Sequence, residues 1–267
     1  MNPIVRLALE EDIGTGDVTS AACVPESRIA SGRFLAREPL VLAGTDLLPE
    51  IYGQPPTLLK HDGEWCAEND VIATIEAPAR LLLERERVAL NFLQRLSGVA
   101  TAARKYVEAV AGTGCQVLDT RKTTPGMRVL EKRAVAAGGV TNHRMGLWDA
   151  ILIKNNHIAA AGGVRAAIAA ARAASSLPIE IEVRTRGELR EALESSAAHL
   201  LLDNLTAAEA REWIEEIGGR AKVELSGGIT LENVRAYAEA GADFVSSGAI
   251  THSARAVDIS FRLEWGA

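Results

Sequence analysis

The chain has 267 residues, 48% apolar and 24% charged, the balance of a soluble globular protein, and can bury a large core without disulfides. Its net charge of −6 has the wrong sign for a dedicated nucleic-acid binder. No run of about 18 apolar residues occurs, which excludes a membrane span, and the three scattered cysteines, Cys23, Cys66 and Cys115, suit neither a disulfide framework nor a zinc knuckle.

Near the N-terminus, Glu10, Glu11 and Asp12 follow a short apolar stretch, the reverse of a secretory signal, so a cytoplasmic enzyme is expected. Residues 3–12 read as a short helix, and 30–43 and 71–76 read as strands. Turn-rich pieces such as Gly53-Gln54-Pro55-Pro56 and Asp62-Gly63 separate them. Residues 79–110 read as one or two long helices, broken near Ser97-Gly98. Residues 1–98 thus form a compact α+β domain.

Beyond residue 114 the rhythm is regular. Short β-rich runs cover 115–119, 150–154, 178–183, 199–204, 222–227 and 243–248, and helical patterns cover 127–137, 162–174, 186–195, 206–217 and 230–240. Strands apolar nearly throughout, alternating with helices, imply a parallel sheet buried on both faces. Each strand closes on a polar or small residue: Asp119, Lys154, Glu182, Asp203, Ser226 and Ser247. Chemistry spread over the carboxyl ends of several strands belongs to a β/α barrel, whereas a doubly wound sheet concentrates it at one switch point behind a glycine fingerprint. The nearest approach to that fingerprint, Gly112-Thr113-Gly114, precedes a strand instead of following one. The expected division is therefore 1–98, then an irregular barrel over 99–251, with the tail 252–267 packing back on the first domain.

Lysine is scarce, yet Lys122 and Lys154 lie at or just past barrel strand ends. Pro125-Gly126 turns the chain after Arg121-Lys122, facing that pair toward the barrel mouth. Arg121, His143, Arg144 and Lys154 then converge on one rim, a local excess of cations suited to a polyanionic substrate. Glu182 and Asp203 oppose them, either as ion-pair partners of those cations or as a Mg²⁺ site. The last two strands run into Ser226-Gly227-Gly228 and Ser246-Ser247-Gly248, small residues ahead of helix-like sequence that would let backbone N–H groups cradle a phosphate.

Several long blocks resemble the quinolinate phosphoribosyltransferase family. They include Gly16-Asp17-Val18-Thr19-Ser20, Glu86-Arg87-Val88-Ala89-Leu90-Asn91, Asp119-Thr120-Arg121-Lys122-Thr123-Thr124-Pro125-Gly126 and Asn142-His143-Arg144. Ile153-Lys154, Asp203-Asn204, Ser226-Gly227-Gly228-Ile229 and Gly248-Ala249-Ile250-Thr251-His252 continue the match, while Asn155 stands where the family usually has an acid. The resemblance implies an α/β fold: an N-terminal α+β sandwich-like domain plus an incomplete parallel β/α barrel, in a homodimer whose sites form across the interface. It implies Mg²⁺-dependent transfer of the phosphoribosyl group from phosphoribosyl pyrophosphate to quinolinate, with decarboxylation, giving nicotinate mononucleotide, pyrophosphate and CO₂ in NAD biosynthesis.

Carried over residue by residue, the resemblance gives the quinolinate carboxylates to Arg121, His143, Arg144 and Lys154, with Arg87 from the neighbouring subunit. Thr120 and Lys122 join that pocket, Lys122 toward phosphoribosyl pyrophosphate, and Lys122, Lys154, Glu182 and Asp203 are the catalytic set. Glu182 and Asp203 would hold ribose hydroxyls and Mg²⁺, and Ser226, Gly227, Gly228, Ser247 and Gly248 the 5′-phosphate. Two alternatives are a molybdenum-transport-associated relative acting on another acid and a non-catalytic anion-binding protein. Neither nucleic acid nor membrane is an expected partner.

Overall fold

The computed structural model describes residues 1–265. In chain order it forms α1 (Pro3–Ile13), α2 (Val18–Cys23), β1 (Ile29–Ala36), β2 (Leu40–Val41), α3 (Leu48–Tyr52), β3 (Thr57–Leu58), β4 (Trp65–Cys66), β5 (Val71–Pro78) and α4 (Ala79–Ala109). Next come β6 (Gln116–Leu118), α5 (Arg128–Ala137), β7 (Ile151–Ile153), α6 (Asn155–Ala161), α7 (Val164–Ala174), β8 (Ile179–Val183) and α8 (Arg186–Glu194). The series ends with β9 (His199–Asp203), α9 (Ala207–Ile217), β10 (Lys222–Ser226), α10 (Val234–Ala238), β11 (Phe244–Ser246), α11 (Ala249–His252) and β12 (Ile259–Trp265). No helix among the described residues is long and apolar enough to cross a membrane.

Two compact units result, one of Met1–Arg104, Thr124–Gly139 and the chain from Ser253 onward, the other of Lys105–Thr123 and Val140–His252. The expected boundary at 98/99 differs from this, because α5 and its entry turn belong to the first unit. Packing explains it: a Cβ at Gly138 would stand 2.4 Å from the Ala100 carbonyl oxygen and 2.5 Å from the Ala103 Cβ. Glu131 of α5, fully buried, also accepts from Arg95 Nη2 at 2.7 Å and from the Thr124 amide at 2.9 Å. Of the tail, residues 266 and 267 lie outside the described residues, and β12 pairs antiparallel with β1.

The first unit carries an antiparallel sheet ordered β12-β1-β5-β3 and a two-stranded β2-β4 ladder. Alternate residues of β1 point inward, as period-two patterning demands. Phe34 of that strand, fully buried, has its ring centroid 4.5 Å from Phe261. The single strand expected over 30–43 is split into β1 and β2, and α2 and α3 were not expected. Helix α4 is unbroken, contrary to the expected interruption at Ser97-Gly98. Buried Ser97 donates from Oγ to the Ala43 carbonyl and accepts the Ala43 amide, so its polar group faces a neighbour instead of its own helix. A Cβ at Gly98 would meet the Arg255 carbonyl oxygen at 2.1 Å, so this glycine marks a close backbone approach.

In the second unit six parallel strands run in the order β6-β11-β10-β9-β8-β7. From β7 to β11 each strand lies beside the next in sequence, and β6 closes on β11. A doubly wound sheet would reverse direction in the middle, and this one does not. It is the winding of a β/α barrel lacking the ladder between its first two strands. One parallel bridge, Leu118 to Thr141, stands in that gap. Capping boxes set the starts of α8 (Thr185 with Glu188) and α9 (Thr206 with Glu209) directly behind the strand ends, which keeps Glu182 and Asp203 at the mouth. Helix α10 begins at Val234, later than the expected 230, after a turn in which Asn233 accepts the Thr230 amide.

Candidate active site

Every strand of the second unit delivers its last residues to one mouth, as the parallel winding requires. Just past β6, the Lys122 amide donates to Thr120 Oγ1 at 3.0 Å, a tight turn that leaves Lys122 exposed and Arg121 half-buried. Thr251 Oγ1 donates to the Lys122 carbonyl at 2.7 Å, and a Cβ at Gly248 would stand 2.7 Å from Lys122 Cδ. Gly248 is therefore the surface against which the lysine stem lies.

Arg144 donates from Nη1 to the Ala150 carbonyl at 3.2 Å. Burial, and after it the nearby Arg121 guanidinium, push Arg144 below its ordinary value. Two like charges held this close favour an anion between them. His143 lies beneath. Its amide donates to Asp119 Oδ1 at 2.8 Å, its Nδ1 accepts the Arg144 amide at 2.7 Å, and its Nε2 lies 3.1 Å from Glu180 Oε2 and 3.4 Å from Glu224 Oε2. Burial disfavours charge on the ring, while the bonds to Glu180 and Glu224 favour it. A ring protonated on both nitrogens would aim an N–H at the Arg144 amide, itself a donor. The 2.7 Å contact therefore makes Nδ1 the acceptor, and Nε2, between Glu180 and Glu224, is the nitrogen placed to donate.

Exposed Lys154 and Arg184 both reach buried Glu182: Lys154 Nζ is 3.5 Å from Oε2, and Arg184 Nη2 is 2.8 Å from Oε1. The ion-pair alternative for Glu182 is the arrangement in this structure. Asp203 differs. It is half-buried and, among the described residues, accepts only from neutral donors, Ser226 Oγ on Oδ1 and Asn204 Nδ2 on Oδ2, each at 2.6 Å. Of the two carboxylates, Asp203 suits a hard cation without surrendering a partner.

The small-residue loops follow. Gly227 has φ +91° and Gly228 φ +61°, both left-handed. A Cβ at Gly227 would stand 2.3 Å from Asn204 Oδ1, whereas Gly228 faces open space. Ser247 is buried, and its hydroxyl donates to the Ile229 carbonyl at 2.6 Å. The expected helix dipole is absent behind Gly228, because α10 starts six residues later; Gly248 alone directly precedes a helical turn, α11.

Thr120, Arg121, Lys122, His143, Arg144, Lys154, Glu182, Asp203, Ser226, Gly227, Gly228, Ser247 and Gly248 all belong to the second unit. Arg87 lies in the first, exposed on α4, and among the described residues it makes no hydrogen bond or salt bridge; the neighbouring Glu84 carboxylate pairs with Arg85. Glu180, Glu224 and Arg184 went unrecognised in the sequence. A signal existed: Glu180 and Glu182 share a face of the apolar strand β8, as Glu224 and Ser226 do on β10. A separate cavity of about 280 Å³ in the first unit, lined by Ile4, Leu7, Val88, Phe92 and Arg95 among others, holds none of these groups.

With this geometry in view, the comparisons are decisive. The family model for the N-terminal domain of quinolinate phosphoribosyl transferase matches residues 17–97, and that for the C-terminal domain matches 99–262. The chain belongs to the quinolinate phosphoribosyltransferase family. It is an enzyme of the phosphoribosyltransferase class. A probable nicotinate-nucleotide pyrophosphorylase (carboxylating) of Bacillus subtilis is 41% identical over 94% of this chain and 89% of its own length. The Mycobacterium leprae nicotinate-nucleotide pyrophosphorylase (carboxylating) is also 41% identical, over 97% and 95%. Among solved structures, the nicotinate-nucleotide pyrophosphorylase of Francisella tularensis superposes with a TM-score of 0.95 at 36% identity, covering 98% of this chain and 95% of that one.

Proposed function

We propose that this enzyme transfers the phosphoribosyl group of phosphoribosyl pyrophosphate to quinolinate and releases CO₂, forming nicotinate mononucleotide and pyrophosphate in cytoplasmic NAD biosynthesis. The observation that carries this is the Arg121/Arg144 pair, two half-buried guanidiniums carried by the chain after β6 and before β7, where burial and then Arg121 depress Arg144. Such a pair fits a substrate with two adjacent carboxylates. Lys154 adds a third cation, and the turn at Thr120 and Lys122 borders the same space.

Lys122 is exposed and unencumbered by a carboxylate among the described residues, which suits it to the departing pyrophosphate. The loops Ser226-Gly227-Gly228 and Ser247-Gly248 would take the 5′-phosphate through backbone N–H groups. Glu182 and Asp203 would receive the ribose hydroxyls, and their negative charge favours the oxocarbenium character that C1′ gains as pyrophosphate leaves. The pyridine nitrogen attacks within a held pair, where proximity lowers the barrier. Asp203, with Glu182 in competition with its own two cations, would hold Mg²⁺, which when bound supplies charge neutralisation for the leaving pyrophosphate. Arg87 would complete the quinolinate pocket of a partner subunit in a two-fold dimer.

Quinolinate, phosphoribosyl pyrophosphate and Mg²⁺ incubated with the protein should yield nicotinate mononucleotide and CO₂ in equal amounts. No product, or full turnover in excess chelator, would contradict the proposal or its metal dependence respectively. For the shared site, inactive Arg87→Ala and Lys154→Ala proteins are mixed and reassembled. Random pairing should restore roughly a quarter of wild-type sites. Absent recovery despite confirmed subunit exchange would rule out Arg87 acting across the dimer.

A further inference from the structure

Three acids of the second unit have no part in the chemistry above, and all are nearly or fully buried: Asp119 at 0% exposure, Glu224 at 1% and Glu180 at 6%. Burying a carboxylate is unfavourable unless donors compensate it, so three in one place call for a reason. All three converge on one dipeptide, His143-Arg144. Asp119 accepts the His143 amide, Glu180 and Glu224 face the ring's Nε2, and the ring's Nδ1 accepts the Arg144 amide.

This dipeptide sits where the ring of strands is open. After the single bridge at Thr141, no ladder holds the chain until β7 begins at Ile151. Side chains from β8 and β10, together with Asp119 after β6, do there what a strand partner does elsewhere. With both ring nitrogens engaged inside the protein, His143 acts on a ligand through its neighbour, and the neighbour is half of the arginine pair. Which imidazole nitrogen carries the proton is set by what the other contacts, so the carboxylates govern whether Nδ1 can accept at all.

We propose that Glu180 and Glu224 are positioning residues for Arg144: they lock His143 with its proton on Nε2, and the Nδ1 acceptor so fixed holds the Arg144 amide and aims its guanidinium at a carboxylate of the acceptor substrate. The identity of that substrate rests on the function proposed above; the lock itself does not.

The test begins with the unaltered enzyme. Nitrogen-15 spectra of histidine-labelled protein near neutral pH should show His143 Nε2 protonated and Nδ1 not; a protonated Nδ1 overturns the proposal. Glu224→Gln and Glu180→Gln keep side-chain size while removing the charge. Each should raise the KM for quinolinate about tenfold, the value of one charge-assisted hydrogen bond, and leave the KM for phosphoribosyl pyrophosphate within about twofold. The same variants should show His143 populating both singly protonated forms. Two folded variants with unchanged quinolinate KM, or equal loss for both substrates, overturn it. An unaltered enzyme with no quinolinate turnover defeats the functional proposal instead, and the spectra still decide the lock.

Discussion

The two sides of the barrel mouth are built by different means. Around β6, β7 and β8 the structure relies on charge: Arg121, Arg144, Lys154 and Arg184 stand with the buried acids Asp119, Glu180 and Glu182, and Glu182 holds Lys154 and Arg184. Around β9, β10 and β11 it relies on backbone shape, with left-handed glycines, hydroxyls bonded to neighbouring oxygens and the half-buried Asp203, while the one buried acid of β10, Glu224, turns to His143. The first side can distinguish ligands by the number and placement of their negative charges. The second, in the proposed reaction, would accept any ligand that presents a phosphate at the right point, because N–H groups read little else. On the proposed function, recognition of the acceptor substrate therefore belongs to the charged side.

Removing a cation should test this contrast hardest. Arg144→Ala should lower kcat/KM for quinolinate by about 30-fold or more, since losing one partner of a desolvated charged contact costs about 2–5 kcal/mol. The KM for phosphoribosyl pyrophosphate should hardly move. Equal losses for the two substrates would erase the distinction.

The glycine side should respond to shape alone. In Gly227→Ala the new methyl meets Asn204 Oδ1 at 2.3 Å in a left-handed backbone, so a stability loss of about 2–3 kcal/mol is expected, with weaker phosphoribosyl pyrophosphate binding. Gly228→Ala adds its methyl to open space and should cost only about 1 kcal/mol, the left-handed term alone. Denaturant titration of the two variants decides it, and equal losses would count against the steric account.

The smallest effect belongs to Arg184→Ala. Glu182 keeps Lys154, and Arg184 is half-exposed, so quinolinate kcat/KM should stay within about threefold. Half-saturating Mg²⁺ should fall, because one competitor for Glu182 is gone. An unchanged Mg²⁺ dependence would separate Glu182 from the metal.

What the sequence disclosed divides along similar lines. The six barrel strands were legible because buried parallel strands are apolar throughout, and their polar last residues announced the mouth. The glycine loops were legible as composition, though their conformation was not. Glu180 and Glu224 were hidden because a glutamate inside an apolar strand looks alike in sequence whether it faces helices or the barrel interior; only the shared parity with Glu182 and Ser226 separates the two. Ser97-Gly98 misled for the opposite reason. Breaker residues read as an interruption, yet they serve contacts from Ala43 and Arg255, distant in sequence, that no local pattern contains. The assignment of 124–139 to the first unit likewise depends on the packing of Gly138 against α4.

The most direct measurement compares quinolinate with nicotinate, its analogue with one carboxylate, as acceptors for phosphoribosyl pyrophosphate. With one carboxylate missing, a cation of the charged side goes unmatched, which costs about 1.5–3 kcal/mol. The kcat/KM for quinolinate should therefore exceed that for nicotinate at least about tenfold, and comparable values for the two acids would contradict the reading of this mouth as a dicarboxylate site.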